Sequence, residues 1–169
     1  GDVDAFPFLE EPDPRAISDG FQLLEELGAM DEERRLTALG KQLAQLPIDP
    51  RIARMILAAQ KENCLAEVLI IAAALSSQDP RDRPLAAQEA ADTAHRRFQD
   101  ERSDFIGFLK LWRFYEEALI HRKSSRKLAQ LCRDNFLSAL RMREWRDIHG
   151  QLAVMVKEMG MRPNEIEAD

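Results

Sequence analysis

The chain has 169 residues, 45% of them hydrophobic and 32% charged, with a formal net charge of −6. That size buries a core as one domain or as two small ones, and the acidic balance sets the chain apart from dedicated nucleic-acid binders, whose domains are usually basic. The longest unbroken apolar run, Val68 to Leu75, falls well short of the roughly 20 residues that a membrane span needs.

Gly1 to Pro14 is acidic and proline-bearing, without the basic start and apolar stretch of a secretory signal. Cys64 and Cys132 stand far apart with no Cys-x-x-Cys or Cys/His spacing, which reads as reduced, structural thiols in a cytoplasmic protein. Charge is segregated: residues 1–50 hold 4 Lys and Arg against 12 Asp and Glu, a net of −8, and residues 110–149 hold 10 against 5, a net of +5.

In chain order, Asp13 before Pro14 marks a helix start, and Ile17, Phe21, Leu24 and Leu27 repeat at helical spacing until Gly28. A polar turn, Asp31 to Arg35, leads to Thr37 as cap of a second helix with Leu39, Leu43 and Leu46 before Pro47, and one turn of residues 14–62 is able to form a strand. Asp49-Pro50 opens a third, with Ile52, Met55, Ile56 and Ala59 on its apolar side. Three short helices joined by tight turns are the pattern of a helix-turn-helix or winged-helix unit.

From Cys64 the helices lengthen. Leu65, Val68, Leu69, Ala72 and Leu75 are apolar, and so are Ile70, Ile71, Ala73 and Ala74, so this helix belongs at the centre of a bundle. Pro84 can start the next helix, with Ala87, Ala90, Ala91, Ala94 and Phe98 as a small-residue face. Ser103 or Asp104 caps a segment carrying Phe105, Phe108, Leu109, Trp112, Tyr115 and Leu119 on one side, aromatic spacing that means core. The basic stretch His121 to Lys127 precedes a helix with Leu128, Leu131 and Cys132, capped by Ser124 or Ser125. A last helix spans about Ser138 to Met159 with Trp145, Ile148, Leu152, Met155 and Met159, and the tail 161–169 is expected to fray. The fold class is mainly α: a winged-helix-like unit over 1–62, an antiparallel bundle over 63–160, and a boundary near Asn63 without a flexible linker.

No catalytic constellation stands out. Gly40-Lys41 is followed by Gln42 and lacks the earlier glycine of a phosphate loop, and His95, His121 and His149 have no metal-ligand spacing. The informative segment is Ser76 to Pro84, where the apolar helix opens into two hydroxyls, the carboxamide of Gln78, and the guanidinium groups of Arg81 and Arg83. Arg presents a fixed fork of donors suited to phosphate or carboxylate. The bland alternative is also open: Ser76 as a helix C-cap, and Arg83 paired with Asp79 or Asp82.

Several ordered blocks resemble one family. Phe6-Pro7-Phe8-Leu9-Glu10-Glu11-Pro12-Asp13, Leu24 to Asp31, Leu36-Thr37-Ala38-Leu39-Gly40 and Leu46 to Arg51 are similar to the helicase-associated region of DEAH-box RNA helicases. So are Ala74 to Pro80 with Arg83-Pro84, Ser103-Asp104-Phe105 and Cys132 to Leu137, and the stretch Arg141 to His149 is most like the bacterial HrpA type. The resemblance implies a degenerate winged helix over about 1–62 followed by a helical ratchet domain. It implies that these pack against two RecA-like motor domains upstream and an oligonucleotide-binding barrel downstream, closing a channel around single-stranded RNA. ATP and Mg are expected in those motor domains and no cofactor here, so the chain alone neither hydrolyses ATP nor unwinds RNA. The resemblance carries an RNA-contact role onto Ser76 and Arg83, with Gln78 and Arg81 as further candidates, while Ser77 stands where eukaryotic members often have valine.

Two other readings stay open on the residues alone. One is a stand-alone winged-helix DNA-binding regulator whose reader helix carries Lys41, Gln42 and Gln45, although that helix sits in the −8 segment. The other is a helical adaptor that docks proteins through the +5 stretch.

Overall fold

The computed structural model describes residues 14–26, 28–43, 48–121 and 124–166. Over these it forms eight α-helices: α1 (Pro14–Glu26), α2 (Ala38–Leu43), α3 (Pro50–Lys61), α4 (Leu65–Leu75), α5 (Gln88–His95), α6 (Asp104–His121), α7 (Ser125–Asp134) and α8 (Ala139–Glu158). Short 3-10 turns, Leu85–Ala87 and Arg96–Phe98, flank α5. The expectations for Asp13, the 6–13 block, Leu27, Gln45, Leu46, Pro47, Arg122 and Lys123 lie outside the described residues, as do those for the side chains of Ile17, Leu39, Gln42 and Leu43.

Local sequence explains most helix starts. Asp49 accepts the Arg51 N–H at 2.7 Å with Pro50 at the first position of α3, Ser124 accepts the Lys127 N–H at 3.1 Å, and Ser138 accepts the Arg141 N–H at 3.2 Å. Each cap satisfies a donor that the first helical turn leaves without an internal partner. Before α6, Ser103 accepts the Phe105 N–H at 3.1 Å.

In the N-terminal unit the expected turn is present as a single antiparallel bridge between Met30 and Leu36. The Asp31 carboxylate ties it by accepting the N–H groups of Glu33 and Arg35 at 2.9 and 2.8 Å. Gly40 packs backbone to backbone: a Cβ there would run into the Ala29 carbonyl. The glycine of Gly40-Lys41 thus has a packing reason.

Helix α4 sits at the centre, with α3, α6 and α8 packed around it. Leu65 and the whole stretch Leu69 to Ala74 are buried, as expected of a helix that is apolar over most of its surface. On α8, Trp145 is fully buried and its indole N–H donates to the Ile70 carbonyl of α4 at 2.9 Å. That bond satisfies the one polar group a buried tryptophan brings with it. Trp112 and Phe108 of α6 meet Trp145 edge-on, with centroids 5.1 and 6.1 Å away. Gly107 lets α6 approach the preceding 3-10 turn, since a Cβ would lie 2.6 Å from the Phe98 carbonyl oxygen.

Two expectations need correction. The helix after Pro84 starts later, at Gln88, behind a 3-10 turn, and of its expected small face only Ala91 and Phe98 are buried while Ala90 is exposed. The segment 161–166 has no regular structure but is docked: Met161 is buried, and the Asn164 side chain accepts the Ala66 N–H at 2.9 Å and donates to Glu67. Asn164 thereby supplies a donor-satisfying cap to α4, whose own N-cap residue Cys64 has no side-chain bond.

Trp145→Ala is expected to cost about 3–5 kcal/mol, read as a lower midpoint in urea unfolding. His149, packed on Trp112 at 4.6 Å, is harder to protonate than an ordinary imidazole because burial disfavours its charged form, the Glu116 carboxylate only partly offsetting this. The unfolded chain therefore takes up that proton first, near pH 6.5, and stability falls as pH drops from about 7 towards 5. His149→Gln is expected to flatten the pH dependence of the melting temperature in that window.

Candidate functional site

The loop from Ser76 to Pro84 leaves the C-terminal end of α4, and its first residues finish the helix. The Ser76 hydroxyl donates to the Ala72 carbonyl at 2.8 Å and the Ser77 hydroxyl to Ala73 at 2.9 Å. Such back-bonding is a local preference of serine at helix ends. Ser76 is a C-cap, half-buried.

Beyond the cap, the loop runs beside the turn between α7 and α8. The buried Pro80 accepts the Ser138 N–H at 2.8 Å, Asp82 donates its N–H to the Phe136 carbonyl at 2.8 Å, and Arg81 and Leu137 form an antiparallel bridge. Phe136 holds a left-handed backbone, φ 51°, a conformation uncommon for a bulky side chain. Surrounding bonds define it: its carbonyl also meets Nε2 of the buried His95 at 2.9 Å, and its N–H reaches the Arg133 carbonyl at 3.1 Å. The loop is stitched to the bundle at its middle, while Gln78 and residues 82–86 are exposed.

The two loop arginines differ. Arg81 grips the Asp79 carboxylate through Nε and Nη2 at 3.0 and 2.8 Å, its guanidinium lies over the Phe108 ring at 5.4 Å, and its side chain is one-third exposed. Burial alone would push the Asp79 carboxyl up, but the side-chain and backbone hydrogen bonds of Arg81 outweigh it and hold it below the usual carboxylate range. Arg141 of α8 adds a bond from Nη1 to the Asp79 carbonyl at 3.2 Å and lies 3.7 Å from the Asp82 carboxylate. Arg81 is therefore bound into the loop itself.

Arg83 points elsewhere. Its Nε and Nη2 donate to the two carboxylate oxygens of Asp92 on α5 at 2.8 and 3.0 Å, with the two side chains 54% and 48% exposed. The pairing with Asp79 or Asp82 left open by the sequence is not the one formed. Of the four candidates, Gln78 and Arg83 face solvent, Arg81 is held within, and Ser76 is committed to the helix end. Sequence reasoning missed Asp92, His95, Phe136 and Arg141. No spacing in the sequence ties these residues to the loop. Among the described residues no group of three His, Cys, Asp or Glu is arranged to hold a metal ion, and no helix is long and apolar enough to cross a membrane.

With this geometry in hand, the chain can be set beside known proteins. Residues 21–48 match the winged-helix helicase-associated domain (HA2), and residues 49–108 match the ratchet-like helicase-associated domain (HA2). The chain belongs to the helicase-associated HA2 family. Over an alignment of 174 positions that takes in all of this chain, it is 52% identical to the ATP-dependent RNA helicase HrpA of Escherichia coli (strain K12). Over an alignment of 175 positions that takes in 99% of this chain, it is 48% identical to the HrpA homolog of Haemophilus influenzae. A DExH-box ATP-dependent RNA helicase of Arabidopsis thaliana is 35% identical over 153 residues, 90% of this chain. The chain spans 13% of the length of the two HrpA relatives and 15% of the plant one. The two HA2 matches meet between Ile48 and Asp49, at the N-cap of α3. The whole of the Ser76–Pro84 loop falls inside the ratchet-like match.

Asp79→Asn removes half of the grip on Arg81 and is expected to speed amide exchange at Asp82 and Ser138, whose N–H groups bond across to the α7–α8 turn. The helix-interior amides of α4 should keep their protection. Unchanged exchange at both loop positions would show that the backbone bonds alone hold the loop.

Proposed function

We propose that this HA2 chain is a non-catalytic module of an ATP-dependent RNA helicase, one that lines the path of single-stranded RNA and couples motor movement to the strand. The observation that carries this reading is the Ser76–Pro84 loop: a polar, cationic segment set at the end of a buried helix and fastened to the α7–α8 turn. A loop so fastened holds its outward groups at fixed positions without large ordering cost on binding. Arg83 and Gln78 present the outward groups. A guanidinium and a carboxamide contact phosphate, sugar or base edges on any sequence, which suits an enzyme that must step along RNA irrespective of its bases.

The helicase names of the HrpA relatives and the family match support this reading. The ATP and Mg of such an enzyme belong to motor domains elsewhere in the parent protein, and those domains and an oligonucleotide-binding barrel are the proposed partners. Within the chain, Ser76 acts by ending α4 and Arg81 by shaping the loop.

The test is Arg83→Ala in the full-length protein. RNA-stimulated ATP hydrolysis and duplex unwinding are both expected to fall, by about tenfold for loss of one charge-assisted phosphate contact, with RNA-independent hydrolysis retained. Unchanged stimulation and unwinding would remove the strand contact from Arg83.

A further inference from the structure

We propose that Asp92 of α5 is a positioning residue for RNA binding: it takes one edge of the Arg83 guanidinium and holds the other edge outward as a phosphate dock. The inference rests on the strand-contact reading of Arg83 and goes beyond it by assigning a role to a residue on a different element.

A guanidinium has two forks that match a pair of oxygens, one formed by Nε–H and an Nη2–H, the other by Nη1–H and the second Nη2–H. Asp92 fills the first, with Nε to Oδ1 at 2.8 Å and Nη2 to Oδ2 at 3.0 Å. The second fork makes no bond within this pair, and more than half of the Arg83 side chain remains exposed. Carboxylate and phosphate thus occupy different edges of one cation and do not exclude each other.

The carrier of the carboxylate is well fixed. Asp92 lies one residue from Ala91, which is fully buried, and three from the buried His95, which meets the Phe136 carbonyl. The backbone of Arg83 is fixed in turn, because Asp82 is bonded to Phe136 and the next residue is Pro84. Both ends of the pair are therefore anchored to the same small cluster, and the long Arg83 side chain is pinned at root and tip. An unpinned arginine gives up much of its rotamer freedom when it binds a phosphate. The charge of the second anion is offset in part by the guanidinium of Arg96, which also lies near Asp92.

The experiment uses the full-length protein and a fluorescent single-stranded oligouridylate, with binding followed by anisotropy across a salt series. Asp92→Ala is expected to weaken binding about threefold, the scale of an exposed ion pair, and Asp92→Asn by less, because one carbonyl oxygen remains to accept. In an Arg83→Ala background Asp92→Ala should change nothing further. Tighter binding by Asp92→Ala would mean that the carboxylate competes with RNA, and unchanged binding would mean that it does not position Arg83; either overturns the proposal. A loss that persists in the Arg83→Ala background would place the effect elsewhere and overturn it too. If Arg83→Ala itself binds normally, the strand-contact reading fails first, an outcome distinct from failure of Asp92 alone.

Discussion

Helix α4 offers no face to water from Leu69 to Ala74, and the rest of the molecule is arranged around that stretch. Its residues Leu69 to Ala74 are buried in succession, so neighbours must approach from several sides, and α3, α6 and α8 do. Fully burying even one leucine- or isoleucine-sized side chain stabilises a fold by roughly 1.5–3 kcal/mol, and α4 buries Leu65, Leu69, Ile70 and Ile71. The alanines matter as much as the larger residues, since Ala72, Ala73 and Ala74 let other elements lie close against the backbone. The indole of Trp145 exploits that closeness by reaching the Ile70 carbonyl, a bond that fixes how α8 is rotated against α4.

Rotation of α8 in turn fixes the loop. Ser138 caps α8 and its N–H also reaches Pro80, so the position of the helix start dictates where the loop turns. Arg141, one turn further on, grips the Asp79 carbonyl. The polar loop is therefore a dependent of the apolar core, and the charge pairs on it refine a path that packing has already set. The same local device recurs among the described residues, in Asp49-Pro50-Arg51, Asp79-Pro80-Arg81 and Asp100-Glu101-Arg102. In each the aspartate accepts both the backbone and the side-chain N–H groups of the arginine two residues on. In the second the arginine is also laid over an aromatic ring given by another helix, Phe108.

Much of this was legible in the residues because the causes are local. Caps at Asp49 and Ser124 need only the next three residues to act, and the unbroken apolar run from Val68 to Leu75 announces the burial of α4 whatever its neighbours are. The loop too was visible, as an abrupt change from apolar to polar and cationic. What escaped was the choice of partners. Asp92 lies nine residues beyond Arg83 across a 3-10 turn, and nothing in the spacing distinguishes it from the nearer Asp79 and Asp82. The carboxylate of Asp79 was already taken by Arg81, a competition that only the folded loop decides. The tail was read as frayed because Arg162 to Glu165 is polar, yet Asn164 meets an N–H 98 residues away in sequence, a contact with no local signature.

Asn164 gives α4 a mechanical character. The helix is about 16 Å long at 1.5 Å per residue, and each end is fastened through its backbone: at the start by the amide that Asn164 binds, at the finish by two serines folded onto its last carbonyls and by the stitched loop. A rod gripped at both ends and packed along its length bends little. Displacement of either end should arrive at the other as translation of the whole element, with no slack to absorb it, which makes α4 a strut between the 161–166 segment and the Ser76–Pro84 loop.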